Sequence, residues 1–203
     1  MRISVTQDNF PLMLSLVFIV FFALLGIAPA SRAVWIAEVV PVLFVFLLLA
    51  CTYKVFRFSN VAYGLMAFWI FWHTIGAHFT FSEVPFGFVS DLFGFERNHF
   101  DRVGHFSVGF YAYAMCELLL RRKLTGPIIA TLFSLFFIMS IAAAYEIIEW
   151  WYAVAEGGEA GLAVLGSQGD IWDAQKDMLA DTLGALFSLA LFWIMGRRWG
   201  SRP

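Results

Sequence analysis

Six long apolar segments, separated by shorter stretches that are richer in polar residues, dominate the pattern of this chain. They cover residues 11–29, 33–52, 60–80, 102–120, 127–150 and 178–196. Each is close to the roughly 20 residues that an α-helix needs to cross about 30 Å of hydrocarbon. The pattern therefore predicts an all-α protein: a polytopic membrane helical bundle with six transmembrane helices, forming a single transmembrane domain over residues 1–203.

The composition agrees with this interpretation. Of the 203 residues, 61% are hydrophobic and only 14% are charged, whereas soluble domains average about 25% charged residues. We therefore expect the lipid bilayer to be the main partner of the protein. We expect no nucleic-acid partner.

The positions of the basic residues predict the orientation of the helices. The two termini and the loops after the second and fourth apolar segments hold nine of the 13 lysines and arginines. These are Arg2, Lys54, Arg57, Arg121, Arg122, Lys123, Arg197, Arg198 and Arg202. Because basic residues are enriched on the cytoplasmic side, both termini are predicted to be cytoplasmic. The two long loops, 81–101 and 151–177, are then expected outside, with their short apolar pieces folded onto the membrane surface.

One stretch before the last apolar segment carries four aspartates at helical spacing. They are Asp170, Asp173, Asp177 and Asp181, and steps of three, four and four place them on one stripe of a helix. Asp170 and Asp173 fit a structural role at the start of that helix, where a cap and the helix dipole favour acids. Asp177 and Asp181 lie deeper, where capping no longer explains them, and carboxylates in a span are usually functional.

Ionisable residues on other helices are predicted at a similar depth. On four of the helices, a basic residue at the predicted cytoplasmic end is 16 positions from an ionisable residue nearer the other end. The pairs are Lys54 and Glu38, Arg57 and His73, Arg121 and His105, and Arg197 and Asp181. This spacing corresponds to about 24 Å along a helix, inside the outer edge of the hydrocarbon. Glu146 lies about 28 Å from Pro127 by the same rise. Glu38, a lone acid near a helix start, is expected to be structural.

These residues predict a polar pocket that opens to the outside. Its candidate members are His73, His105, Glu146, Glu149, Asp177 and Asp181. Imidazole and carboxylate ligands suit a divalent metal such as zinc, manganese or iron. The same groups could instead carry protons. Crowded carboxylates require a cation, a shared proton, or a basic partner such as Arg102 or Lys176.

Four strings of residues resemble a known family. They are His73-Thr74-Ile75-Gly76-Ala77-His78-Phe79, the run from Phe95 to Phe106, Tyr145-Glu146-Ile147-Ile148-Glu149-Trp150, and the run from Gly169 to Met178. The chain resembles, over nearly its whole length, the YjdF-type family of uncharacterised bacterial inner-membrane proteins. The resemblance implies a multi-pass protein of the bacterial cell inner membrane, and it implies no activity.

A more distant likeness is to VanZ-like membrane proteins. It rests on the Asp-x-x-x-His-Phe pattern from Asp101 to Phe106, on Glu146, and on the run from Asp177 to Gly184. Thr182 stands in that run where an asparagine would be expected. This likeness implies a shared architecture.

Three classes of function remain open. As an enzyme, the protein would bind a divalent metal through His73, His105, Glu146 and Asp181, with Asp177 or Glu149 as the general base, and would hydrolyse or transfer a lipid or lipid-linked substrate. As a non-catalytic membrane partner or scaffold, it would use the charged groups to hold its helices together. As a proton- or cation-coupled transporter, it would need a path to the cytoplasm, where Glu117 is the one internal acid and is spaced to pair with Arg121. The motifs of serine hydrolases, zinc proteases and nucleotide-binding loops are absent from the sequence.

Overall fold

A computed structural model describes residues 9–197, and the described chain is helical without strands. The helices are α1 (Phe10–Leu25), α2 (Arg32–Thr52), α3 (Asn60–Phe79), α4 (Gly87–Phe93), α5 (Phe100–Val108), α6 (Tyr111–Arg121), α7 (Pro127–Glu156), α8 (Gly158–Leu165) and α9 (Asp173–Arg197), and a single 3₁₀ turn covers Phe81–Glu83. Five of the predicted apolar segments each overlap one of these helices, and the segment 102–120 overlaps both α5 and α6. The prediction of an all-α protein is confirmed for the described residues.

Four helical stretches are long and apolar enough to cross a membrane. They are Arg32–Thr52, Phe100–Arg121, Pro127–Glu156 and Asp173–Met195, where the second includes both α5 and α6. Helix α1 is apolar but shorter, and α3 falls below the four in mean hydropathy because it contains histidines, tryptophans and glycines. The protein is therefore a helical membrane protein, while the count of six crossings stays a prediction.

The helices run between two ends of the bundle. At one end the loop between α1 and α2 contacts the end of α3, since Ala30 N–H donates to the His78 carbonyl at 2.9 Å. At the opposite end Arg121 and Arg122 donate to the carbonyls of Arg57 and Val55. We call these the site end and the basic end. Arg2, Arg198 and Arg202, used above to predict orientation, lie outside the described residues, as does the side chain of Arg197.

Helix α9 lies unusually close to α5 and α6, and two glycines permit this approach. A Cβ atom added at Gly184 would overlap the Phe106 carbonyl oxygen, and one at Gly109 would overlap the backbone of α9. Ser188 also donates a hydrogen bond to the Gly109 carbonyl at 2.9 Å, at the junction where α5 passes into α6. Small residues let membrane helices pack backbone to backbone, and this contact fixes the side chains of α5 against those of α9.

The outward faces of the bundle are apolar, as contact with lipid requires. Large apolar residues on these faces are more than half exposed, among them Leu16, Phe44, Ile128 and Phe187. The interior holds some polar groups, among them Glu117, whose carboxylate is fully buried and accepts from the Ser59 N–H at 2.8 Å and from Arg121. The interior acid near the basic end is therefore paired with a cation on its own helix, as its spacing predicted.

The two long loops contain short helices. Helix α4 lies within the first loop, and α8 follows α7 and packs against both α7 and α2. The sequence placed Asp170 on the same helix as Asp173, but α9 begins at Asp173. Asp170 instead caps the turn before the helix, where its carboxylate accepts from the Trp172 N–H at 3.1 Å. Three of the four aspartates share the helical stripe.

Candidate functional site

His105 lies at the centre of a cluster of carboxylates at the site end. Its Nδ1 is 3.0 Å from Oδ2 of Asp181, and its Nε2 is 3.6 Å from Oδ1 of Asp101 and 3.7 Å from Oδ1 of Asp177. An ionised carboxylate only accepts hydrogen bonds, so the proton of a neutral imidazole belongs on Nδ1, facing Asp181. Nε2 is then unprotonated, and its lone pair faces the carboxylates of Asp101 and Asp177.

The geometry of this cluster suits a cation. One ligand atom each from Asp101, His105 and Asp177 lies within 4.8 Å of the other two. Ligand atoms at about 2.1 Å from a single zinc ion can be at most about 4.2 Å apart, so a small closure would complete such a site. Asp181 is 0% exposed and its second oxygen, Oδ1, has no hydrogen-bond partner among the described residues.

Two arginines pair with acids in this cluster and directly beside it. Arg102, one position after Asp101, contacts the carboxylates of both Asp173 and Asp177. Arg97, from the loop before α5, also contacts Asp173. The sequence named Arg102 or Lys176 as the basic partner, and the structure places Arg102 on the acids at the cluster, whereas Lys176 pairs with Asp170 at 2.6 Å.

His73, a predicted metal ligand, lies in a separate polar group. Its Nε2 is 3.1 Å from Oε2 of Glu38 and 3.0 Å from the Glu38 carbonyl. The hydroxyl of Tyr145 donates to the same Glu38 oxygen at 3.2 Å. Glu38 therefore joins α2, α3 and α7 at one point. The sequence analysis expected Glu38 to be structural, and in the structure it is buried and in contact with a histidine.

The two glutamates predicted on α7 lie near the His105 cluster without a direct hydrogen bond to it. Glu146 is within electrostatic range of His105, Asp101, Asp177 and Asp181, and its Oε1 is buried without a hydrogen-bond partner among the described residues. Glu149 interacts electrostatically with His105 and Glu38. Glu149 also lines the cavity at this end, whereas Glu146 does not.

A cavity of about 620 Å³ connects the His73 group with part of the His105 cluster. Glu38 and His73 line it together with Asp101, His105, Glu149 and Asp181. The rest of its wall is largely apolar and continues past Leu48 and Val108 to Val55 and Arg122 near the basic end. Ligand pockets of about 300–1,000 Å³ with a few convergent polar groups are the usual form of a binding site.

Ionisable groups of the loops at the site end have shifted pKa values. Partial burial, and then the charges of Arg97 and Arg102, lower the pKa of His99 below its ordinary value of 6.5. The hydrogen bond from Lys176 lowers the pKa of Asp170.

Sequence reasoning did not assign three residues of this region to the site. Asp101 is four residues before His105, which places both on one helical face, but it also directly precedes an apolar segment, where an acid can cap the helix. Only the packing of α9 brings Asp177 beside the pair. Tyr145 stands directly before Glu146 in the sequence, and no spacing linked it to Glu38, which is 107 residues away. Arg97 lies in a loop, where helical periodicity gives no information about contacts.

Comparisons with known proteins give the relatives of this chain. Residues 10–198 match the family described as "Predicted membrane protein (DUF2238)". The chain is 37% identical over 173 residues to the inner membrane protein YjdF of Escherichia coli (strain K12), an alignment that covers 79% of this chain and 78% of that protein. No solved structure matches the chain.

Proposed function

We propose that this chain, which belongs to the DUF2238 family of predicted membrane proteins, is a metal-assisted hydrolase or transferase that acts within the inner membrane on a lipid or lipid-linked substrate. In this proposal the protein crosses the membrane six times with both termini in the cytoplasm. The site end then faces the outside of the inner membrane, at the level of the lipid head groups.

The convergence of Asp101, His105 and Asp177 is the observation that carries the proposal. These three residues come from α5 and α9, and the glycine contact between Phe106 and Gly184 holds the two helices together beside them. A ligating histidine typically donates its second ring N–H to a carboxylate, which orients the ring. Asp181, at 3.0 Å from Nδ1 of His105, is placed for that role.

The roles differ from those predicted from the sequence alone. We assign Asp101, Asp177 and Nε2 of His105 as ligands, and Asp181 as a positioning residue rather than a ligand. Bound there, a divalent ion would supply a hydroxide nucleophile at neutral pH. Glu149, which lines the same cavity, is the general base, while Glu146 remains a further candidate ligand because its Oε1 is buried without a hydrogen bond to a described residue.

His73 is not part of the proposed ligand set. Its Nε2 faces the carbonyl and carboxylate of Glu38, and among the described residues the ligand atoms that converge belong to Asp101, His105 and Asp177. We propose that His73, with Glu38 and Tyr145, forms a polar wall of the substrate cavity. This group would then contact the substrate's polar part and not the ion.

Metal analysis of the purified protein tests the proposal. Wild-type protein should retain one zinc, manganese or iron ion per chain, and both His105→Gln and Asp177→Asn should lose it while eluting as folded protein in size-exclusion chromatography. Asp91→Asn is the matched control, because Asp91 is exposed on α4 and away from the cluster. A metal-free wild-type protein that takes up none of these ions on titration would exclude the mechanism.

A scaffold is the second candidate, and the arginine contacts favour it. Arg102 already contacts Asp173 and Asp177, so part of the acidic charge is balanced without an ion. A scaffold predicts that Arg102→Gln lowers folded yield as much as His105→Gln does. The enzyme predicts that His105→Gln folds and loses its metal.

Transport has less support from the cavity. Toward the basic end its wall is apolar, and Glu117 there is paired with Arg121 and Ser59. A proton path would need polar groups along that stretch. Ion flux in proteoliposomes that is abolished in Asp181→Asn would reverse this ranking.

A further inference from the structure

The cavity has the shape of a lengthwise groove rather than of a compact chamber. It extends along α2 from Glu38 to Thr52, a distance of about 21 Å at the rise of an α-helix. That length is about two thirds of the roughly 30 Å thickness of the hydrocarbon core. Polar side chains line the groove at the site end, and most of the remaining wall is aliphatic and aromatic.

The groove is open on one side, between α2 and α7. Helix α2 packs against α3 and α8, and α7 packs against α6, α8 and α9, whereas α2 and α7 do not pack along their lengths within residues 9–197. Phe44 and Leu48 on α2 and Ile141 on α7 line the groove and are 66%, 50% and 43% exposed. In a bilayer this opening faces lipid, so a hydrocarbon chain could enter sideways without crossing water.

We infer that this groove binds one acyl chain of an amine-bearing phospholipid, whose head group lies against the polar side chains at the site end. The inference names the substrate class of the proposed enzyme and in that respect rests on the proposed function. The lipid around the protein is as apolar as the groove wall, so the hydrophobic effect does not favour moving an acyl chain into the groove. The acyl chain must therefore be held by close packing between the helices. Hydrogen bonds and charges at the site end stabilise the head group, which the hydrocarbon of the bilayer cannot do.

The charges at the site end favour a head group with an amine. Four carboxylates, from Glu38, Asp101, Glu149 and Asp181, line this end of the cavity against the imidazoles of His73 and His105. Glu38 lies outside the proposed ligands and general base and would accept a hydrogen bond from an ammonium group. The phosphate of the same lipid would then lie toward His105 and its ion, which offers the positive charge that a phosphate needs.

Photocrosslinking tests this inference. The full-length protein is placed in nanodiscs that contain phosphatidylethanolamine with a diazirine on one acyl chain, illuminated, and mapped by mass spectrometry. We expect crosslinks on the residues that line the groove, and labelling that falls by about tenfold in Leu48→Trp, because the indole fills the groove. Leu47→Trp is the control, since Leu47 is its neighbour, is 56% exposed and does not line the groove.

A second pair of variants covers the opposite wall. Ile141→Trp should reduce labelling as Leu48→Trp does, and Met139→Trp, 41% exposed on the same helix but outside the groove, should not. Equal labelling of the groove and control variants would overturn the inference. Crosslinking of the corresponding phosphatidylglycerol probe that equals or exceeds that of phosphatidylethanolamine would overturn the choice of head group.

The failure of this inference can be told apart from failure of the proposed function. Metal content is measured on the same samples as the crosslinking. Groove-specific labelling in a protein that binds no metal would support the lipid site and exclude the metal mechanism. Metal bound through His105, with labelling spread evenly over the lipid-facing surface, would leave the metal centre and remove the groove as a lipid site.

Discussion

Nδ1 of His105 lies 3.0 Å from Oδ2 of Asp181, across the contact between α5 and α9. The two residues are 76 positions apart in the chain. With the proton on Nδ1, Nε2 faces Asp101 and Asp177. The hydrogen bond to Asp181 therefore orients the ring so that Nε2 and the two other carboxylates could bind one ion. This pair connects the packing of the helices to the proposed chemistry.

Asp181→Asn should weaken metal binding without removing it. Asparagine can present either an oxygen or an amide nitrogen to His105, so the ring orientation and tautomer are no longer fixed. We expect a loss of about 10–100-fold in metal affinity, the usual effect of changing a group that orients a ligand. Titration of metal-stripped protein with zinc or manganese measures it, and an unchanged affinity would show that Asp181 does not orient the ring.

Gly184→Ala should destabilise the protein. The new Cβ would overlap the Phe106 carbonyl oxygen, which belongs to backbone and cannot rotate away. Overpacking of this kind costs about 1–3 kcal/mol, and separating α5 from α9 should also lower metal content. Thermal unfolding followed by fluorescence gives the first effect and metal analysis the second.

The control for that experiment is Gly64→Ala on α3. A Cβ there meets no atom within 4 Å, so alanine should be neutral or stabilise the helix by up to about 1 kcal/mol. Equal losses of stability in both variants would mean that the close approach of α5 and α9 is not the cause.

Glu117→Gln should lower stability and leave the site intact. The Glu117 carboxylate is fully buried and pairs with Arg121 and with both donors of Ser59. Removing its charge leaves Arg121 without its buried partner, which costs about 3 kcal/mol. The melting temperature should fall while the metal content of the folded fraction stays at the wild-type value, and the exposed Glu83→Gln should change neither.

His99 should make stability depend on pH near neutrality. Its pKa is lowered in the folded protein, first by burial and then by Arg97 and Arg102, so the folded state binds fewer protons than the unfolded state. The stability that it contributes is present above the unfolded pKa of about 6.5 and is lost as the pH falls through the folded pKa. The difference in melting temperature between wild type and His99→Gln should therefore change sign or shrink on acidification below about pH 6.5. A constant difference from pH 8 to pH 5 would contradict this assignment.

The helices were predictable because local pattern determines them. A run of about 20 apolar residues has few alternatives to a helix in lipid, where each backbone group needs an internal partner. Glu117 and Arg121, or Asp101 and His105, could be paired from the sequence because four residues on one helix make one turn. The break between α5 and α6 at Gly109 was not visible in that pattern, since it depends on the contact with α9.

The apolar pattern alone identifies an all-helical membrane protein, and residue counting predicts that the histidines and most acids within its helices, apart from Glu117, lie toward one end. Depth along a helix follows from counting residues, but rotation about the helix axis does not, because apolar residues surround most of each span. The tertiary structure places His73 against Glu38, which Tyr145 also contacts. It places His105 among Asp101, Asp177 and Asp181. The physical reason is packing between segments far apart in the chain: Gly109 and Gly184 set how closely α5, α6 and α9 approach, and that distance selects which carboxylates share a histidine.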